Sequence, residues 1–261
     1  MQNSKKLEKS RGIVAFAKNT ETTDYISIAK NTLSVASKVL HLPHTIITDV
    51  DDSEFINSRY DVDTESFVQW RNYGRHLAYD MSPYDETIVI DADYLVLDNS
   101  LRGIFDQPWD YLLQRKSHAL TVEWETKMGN TSLPYVWATV FAFRKTERAK
   151  IFFDLVERVY TNYRYYRALF NIKERNYRND YAFAIADIIL NGYAISNNGI
   201  AGSMLAINQP INSIEIKDKQ LLVKDSNRAY VVPRTNLHIM SKAYLQSANF
   251  AKLIEQLNEP A

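Results

Sequence analysis

At 261 residues the chain has room for one large domain or two small ones, with a substantial buried core. Its 31 basic residues balance its 31 acidic ones, so no net field draws the whole molecule to nucleic acid or membrane, and any such attraction must come from a local patch. There is no cysteine, which excludes disulfides and thiolate metal sites and fits a reducing cytoplasm. The first eleven residues are polar and lysine-bearing, without the apolar centre of a signal peptide, and no apolar run is long enough to span a bilayer. These features predict a cytoplasmic protein with no membrane partner. Neither an internal repeat nor a low-complexity linker interrupts the chain, so a single domain over residues 1–261 is expected, preceded by its polar tail.

Gly12 to Ala17 reads as a first strand running out into the polar Lys18-Asn19-Thr20. Thr23 or Asp24 is placed to cap a helix whose apolar residues, from Ile28 through Leu33 and Ala36 to Leu40, recur at helical spacing. His41-Leu42-Pro43 ends it, and His44 to Asp49 forms a second strand that stops in an acidic cluster, Asp49 to Asp52. A strand-helix-strand start of this kind predicts parallel strands with a right-handed crossover. Phe67 to Met81 has helical periodicity, with Arg71 and Arg75 on one side, and Ser82-Pro83 breaks it.

The next stretch carries the chemistry. Thr87-Ile88-Val89-Ile90 is an apolar, β-branched run that meets Asp91-Ala92-Asp93 at its end, and a second apolar run, Tyr94 to Leu97, follows at once. Two carboxylates set between buried segments are costly unless a cation compensates them. In open α/β sheets, ligands gather beyond the carboxyl ends of the strands. Two hard oxygen donors there suit Mg²⁺ or Mn²⁺, and such an ion suits a diphosphate. The small Ala92 lets substrate approach the backbone.

Farther on, Tyr111 to Gln114 is a short strand, Met128 to Pro134 a loop, and Tyr135 to Phe143 a strongly β-prone run. Glu147 to Phe170 reads as one long helix. Its second half opens a basic, tyrosine-rich stretch holding Arg158, Arg164, Arg167, Lys173, Arg175 and Arg178 against only Glu174. Asp180 heads a helix through Leu190 that stops at Asn191-Gly192. Short strands follow at Ile214 to Ile216, Leu221 to Val223, Ala229 to Val232 and Leu237 to Met240, and an amphipathic helix ends the sequence.

Taken together, these segments resemble the metal-dependent nucleotide-sugar transferases of the GT-A fold, nearest to the glycogenin-like (family 8-like) group. The matching residues are Ala17-Lys18-Asn19, Arg75, Ile90 to Leu97, Asp180 and the late segment Leu237-His238-Ile239-Met240-Ser241-Lys242. The resemblance implies an α/β fold with a mainly parallel central sheet flanked by helices, its nucleotide-binding half Rossmann-like. It implies a UDP-sugar donor whose nucleotide meets Ala15, Phe16, Lys18, Asn19, Arg71, Arg75, Ala92 and Lys242. It further implies that His238 joins Asp91 and Asp93 around Mn²⁺ or Mg²⁺, that Asp180 and Arg75 serve catalysis, and that the anomeric configuration is retained. The chain departs from the family at Trp137-Ala138-Thr139-Val140, where Asn-Ser-Gly-Val is usual, at Tyr181 after Asp180, and in a tighter His238-to-Lys242 spacing with Ser241 in place of glycine.

The acceptor is read from the basic, aromatic stretch. Arginines that reach phosphates and tyrosines that stack on bases are how proteins grip nucleic acid. The pattern resembles the bacteriophage enzymes that glycosylate 5-hydroxymethylcytosine in DNA, which would place this protein in the host cytoplasm. The same residues equally describe a solvated helix face with tyrosines packed inward. A saccharide or protein acceptor, a non-catalytic nucleic-acid-binding protein, and a metal-dependent phosphohydrolase or nucleotidyltransferase are the competing readings.

Overall fold

A computed structural model describes residues 9–50, 56–57 (backbone only), 74–121, 128 and 131–259. In chain order the first elements are β1 (Arg11–Phe16), α1 (Tyr25–Leu40), β2 (His44–Thr48), β3 (Ile56–Asn57), α2 (Ala78–Met81), β4 (Glu86–Ile90), β5 (Tyr94–Leu95), β6 (Tyr111–Gln114), β7 (Ser117–His118) and β8 (Trp137–Arg144). There follow α3 (Glu147–Thr161), α4 (Tyr163–Leu169), α5 (Asn179–Leu190), β9 (Met204–Ile207), β10 (Ser213–Lys217), β11 (Gln220–Lys224), β12 (Ala229–Pro233), β13 (Leu237–Ile239), α6 (Lys242–Leu245) and α7 (Ala248–Asn258).

The architecture is α/β, with a central sheet ordered β3-β2-β1-β4-β8-β6 and helices on both faces. Its pairings from β3 to β4 are parallel, whereas β8 runs antiparallel to both β4 and β6. The chain leaves β1 toward β2 and β3, then returns to the other side of β1 to lay down β4. That reversal opens a crevice between the carboxyl ends of β1 and β4, the usual ligand position in a doubly wound sheet. A second sheet, β5-β13-β9-β7, joins early and late segments, and β10-β11-β12 form an antiparallel meander.

Helix α1 starts where the Asp24 carboxylate accepts the Ser27 amide at 3.0 Å and stops where His41 takes a left-handed conformation. It is apolar on two sides. Ala29, Leu33, Ala36 and Leu40 pack against the central sheet, while Ile28 and Val35 face the second sheet and α7. The opposite face of the central sheet carries α3 and α5, sealed by Phe141, Phe143, Phe152, Phe153 and Phe183. Two of these ring pairs lie with centroids 4.8 and 5.0 Å apart. Among the described residues no helix is long and apolar enough to cross a membrane.

Two expected helices differ. Residues 67–73 of the stretch expected to run from Phe67 to Met81 lie outside the described residues, Arg71 among them. The described part begins at Gly74 with φ +80°, passes through a 3₁₀ turn at Arg75–Leu77 and becomes α-helical only at Ala78. A left-handed residue cannot sit inside an α-helix, so the start is a turn. The long helix expected from Glu147 to Phe170 is broken at Asn162 (φ −116°, ψ 32°). The break turns Tyr163 into the core against Tyr177, their rings 5.4 Å apart.

His76, in the 3₁₀ turn, stacks on Tyr160 with centroids 4.3 Å apart, and its Nδ1 has no hydrogen-bond partner among the described residues. Burial pushes its imidazole from 6.5 down to about 4. The neutral form is therefore favoured by folding. The stability it contributes is complete above the unfolded value and is lost as pH falls from 6.5 toward 4. Urea denaturation should show about 2 kcal/mol less stability at pH 5 than at pH 7 from this residue. The same step should be absent in His76→Phe; an equal loss in that variant would assign the acid sensitivity elsewhere.

Candidate active site

Strand β4 is wholly buried and delivers Asp91 to the mouth of the crevice, where the Asp91 amide donates to the Thr139 carbonyl at 2.9 Å. A tight turn follows, in which the Tyr94 amide donates to the Asp91 carbonyl, so Asp91 and Asp93 stand on one short arc. The third member comes from far along the chain. Strand β13 pairs with β5 in the register His238↔Tyr94, and the Ile239 amide donates to the Asp93 carbonyl at 2.9 Å. This pairing places His238 Nε2 3.3 Å from Asp93 Oδ1 and 3.8 Å from Asp91 Oδ2.

One ligand atom from each of Asp91, Asp93 and His238 lies within 4.8 Å of the others, a spacing that fits one metal ion. Two carboxylate oxygens and one imidazole nitrogen form a donor set suited to Mn²⁺ or Mg²⁺. Cations flank the cluster: Arg75 Nη2 pairs with Asp91 Oδ1, and Lys242 Nζ with Asp93 Oδ2. Burial alone would raise the Asp93 carboxyl, but His238 and Lys242 outweigh it and hold this group well below the usual carboxylate range. It is therefore ionised, as a metal ligand must be.

Around the cluster opens a cavity of about 600 Å³ that fills the crevice between β1 and β4. Phe16, Lys18, Arg75, Ala92, Asp180 and Lys242 all line it together with the three candidate ligands. Ala15 and Asn19 do not. Ala15 has no exposed surface, being locked inside the sheet, and the Asn19 side chain accepts the Ile26 amide at 2.9 Å, which ties it to the first turn of α1. Lys18 forms an ion pair with Asp49 at 2.8 Å across the ends of β1 and β2. Asp180 is not the cap of α5, since the cap position belongs to Arg178 and has no side-chain capping bond. Its Oδ1 accepts the Ala138 amide at 2.9 Å and its Oδ2 accepts Arg178 at 2.7 Å, which fixes the carboxylate on the cavity wall.

Tyr25, Trp137, Thr139, Asn179 and Met240 also line the cavity and carried no site assignment in the sequence. Trp137 stands edge-on to His238 with ring centroids 5.5 Å apart. The strand that carries it is irregular on one edge only. Leu113 pairs with Phe141, but the next residue, Gln114, pairs with Trp137, so residues 138–140 have no partner in β6 while Val140 keeps its pairing with Ile90 of β4. Bulges of this kind re-aim side chains beside functional sites.

The basic stretch is more divided than its sequence suggests. Arg158, Arg164, Lys173 and Arg175 are exposed. Arg167 instead donates to the Glu174 and Lys173 carbonyls at 2.9 and 3.3 Å and so holds the α4–α5 connection, while Arg178 lines the cavity. Tyr163 and Tyr177 are core residues and present no face for stacking; Tyr165, 63% exposed, does.

No family model and no curated protein matches the chain. Among solved structures it is similar to the galactosyltransferase LgtC in complex with donor and acceptor sugar analogues. Identity is 13%, with 96% of this chain and 97% of that one covered at a TM-score of 0.49. It is also similar to the catalytic domain of Drosophila β1,4-galactosyltransferase 7 in complex with xylobiose, at 11% identity, covering 97% and 82% of the two chains with a TM-score of 0.43. The glycosyltransferase GlyE of Streptococcus pneumoniae TIGR4 shares 11% identity over 75% of this chain and 45% of its own, at a TM-score of 0.37.

Proposed function

We propose that this protein is a metal-dependent glycosyltransferase of the GT-A type that moves a sugar from a UDP-sugar to an acceptor hydroxyl. The observation that carries the reading is the convergence of Asp91, Asp93 and His238 at the crevice between β1 and β4, flanked by Arg75 and Lys242. In such a reaction the bond between the anomeric carbon and the β-phosphate oxygen breaks, and its electron pair remains on the diphosphate. The acceptor oxygen bonds to the anomeric carbon and gives up its proton to the departing diphosphate. A bound Mn²⁺ or Mg²⁺ would supply Lewis-acid stabilisation of the departing diphosphate.

The residues of the chain divide the remaining work. Arg75 and Lys242 place positive charge where phosphate oxygens gain negative charge, the most effective position for transition-state stabilisation. Phe16 and Lys18, at the end of β1, form the nucleoside end of the cavity. Asp180, fixed by Ala138 and Arg178, offers a carboxylate to hydroxyls of the sugar or acceptor. Retention of configuration rests on the resemblance of the motif set to the glycogenin-like group.

The leading acceptor in this proposal is 5-hydroxymethylcytosine in DNA, supported by the exposed Arg158 on α3, Arg164 on α4, and Lys173 and Arg175 before α5, with Arg178 lining the cavity. Phosphate contacts would dominate, because Tyr163 and Tyr177 are buried. A cytoplasmic location, the host's for a phage-encoded chain, follows from that acceptor. The test is mass spectrometry of UDP-sugars incubated with Mn²⁺ and either hydroxymethylated DNA, unmodified DNA or simple glycosides. A metal-dependent mass gain on hydroxymethylated DNA alone is expected. Gain only on glycosides would move the acceptor to saccharides, and absence of metal-dependent UDP release from every donor would overturn the enzyme reading.

A further inference from the structure

The carboxylate of Asp91 is gripped from the neighbouring strand by a single residue. Thr139, 2% exposed, accepts the Asp91 amide with its carbonyl at 2.9 Å and donates its hydroxyl to Asp91 Oδ2 at 3.0 Å. A carboxylate with both its backbone and one side-chain oxygen held by the same partner has little freedom in its side-chain torsions. The held oxygen is the one 3.8 Å from His238 Nε2, so the bond sets how Asp91 faces the other candidate ligands.

We propose that Thr139 is a positioning residue for the metal centre, which orients the Asp91 carboxylate for ion binding through its hydroxyl. The inference rests on the reading of Asp91, Asp93 and His238 as that centre. Three observations support it. An ionised carboxylate only accepts, so the single hydroxyl proton of Thr139 has one direction to go. The β4–β8 ladder, with Ile90 opposite Val140, continues one step to set Thr139 opposite Asp91 at the end of β4. The adjacent turn is held in a parallel way by Thr32, which is fully buried on α1 and brings its hydroxyl to 2.8 Å from the Ala92 carbonyl. Thr32 thus holds the backbone of the turn and Thr139 the side chain at its head.

Partners that orient a metal ligand typically change metal affinity 10–100-fold, roughly, when removed. Mn²⁺ titration followed by electron paramagnetic resonance, on wild type, Thr139→Val and Thr139→Ser, tests the proposal alongside thermal melting. Valine preserves shape without the hydroxyl and should raise the Mn²⁺ Kd about 10–100-fold. Serine, which keeps the hydroxyl, should restore the wild-type Kd. A role confined to packing would move the melting temperature and leave the Kd alone, and an unchanged Kd in Thr139→Val overturns the proposal. Thr139→Ala carries the same test should the valine variant not fold. Wild type without any Mn²⁺ affinity would overturn the metal centre itself, an outcome distinct from wild type and valine variant binding equally well.

Discussion

Asp91→Asn and Asp93→Asn should each lower kcat/KM for metal-dependent transfer by about 10³-fold or more, a loss of roughly 4 kcal/mol of transition-state stabilisation. An amide has almost the carboxylate's shape but is a poor ligand for a hard cation, so the ion and the charge it contributes go together. The two variants should differ in stability. Asp93 is 7% exposed and faces both Lys242 and His238, so its neutralisation leaves the part-buried Lys242 ammonium without its counter-ion. Breaking a buried pair from one side costs about 3–5 kcal/mol at the upper end. Asp91 in turn pairs with Arg75, the more buried of the two cations, so its variant should melt the lower of the two. Because the Asp93 carboxyl is held below its ordinary range, its contribution is complete above 3.8 and is lost only as pH falls through its lower folded value. Steady-state kinetics, Mn²⁺ titration and thermal melting check these outcomes together; undiminished turnover in both variants would reject the metal role.

The largest loss of stability is expected away from the cavity, at Asp187→Ala. Asp187 lies on α5 with no exposed surface and collects donors from two other parts of the chain. Tyr111 donates to it at 2.9 Å, Arg115 at 2.7 Å, Ser196 at 3.0 Å and Asn198 at 2.9 Å. The network ties α5 to the end of β6 and to the segment that leads into β9. Alanine would leave a guanidinium and several donors unsatisfied in the interior, at a cost of about 3–5 kcal/mol. For a chain of this size each kcal/mol moves the melting temperature by about 2–4 °C, which predicts a fall of roughly 10 °C or more. Asp187→Leu combined with Arg115→Met should recover part of the loss, because both charges are then removed. A melt of Asp187→Ala within 2 °C of wild type, roughly the effect of a single neutral surface change, would show that the network stabilises little.

The difference between these two aspartates shows what a sequence displays locally. Asp91 and Asp93 interrupt apolar runs at the end of a strand, and His238 and Lys242 share one short segment, so the candidate ligands and their flanking cation can be named from pattern and motif. Strands β1, β2, β4 and β8 and helices α1 and α5 follow from periodicity for the same reason. Thr139 gives no such sign. It meets Asp91 because β8 pairs with β4 in the register that sets Ile90 against Val140, and that pairing joins strands distant in sequence. Asp187 did leave a mark, a lone carboxylate within the apolar run Ala184 to Leu190, but its partners at 111, 115, 196 and 198 meet only after folding. The break at Asn162 and the turn at Gly74 escaped because helical periodicity continues past both. The tyrosines of the basic stretch were ambiguous by composition, and tertiary packing drew Tyr163 and Tyr177 inward.

Strand β13 lies between β5 and β9, and Lys242 meets Asp93 across a separation of 149 residues. A ribosome extending this polypeptide would thus have finished β1, α1 and β4 long before the imidazole and ammonium groups emerged. Until then the paired acids would stand without their late partners. The cluster should assemble abruptly, when His238 zips into place beside the two acids.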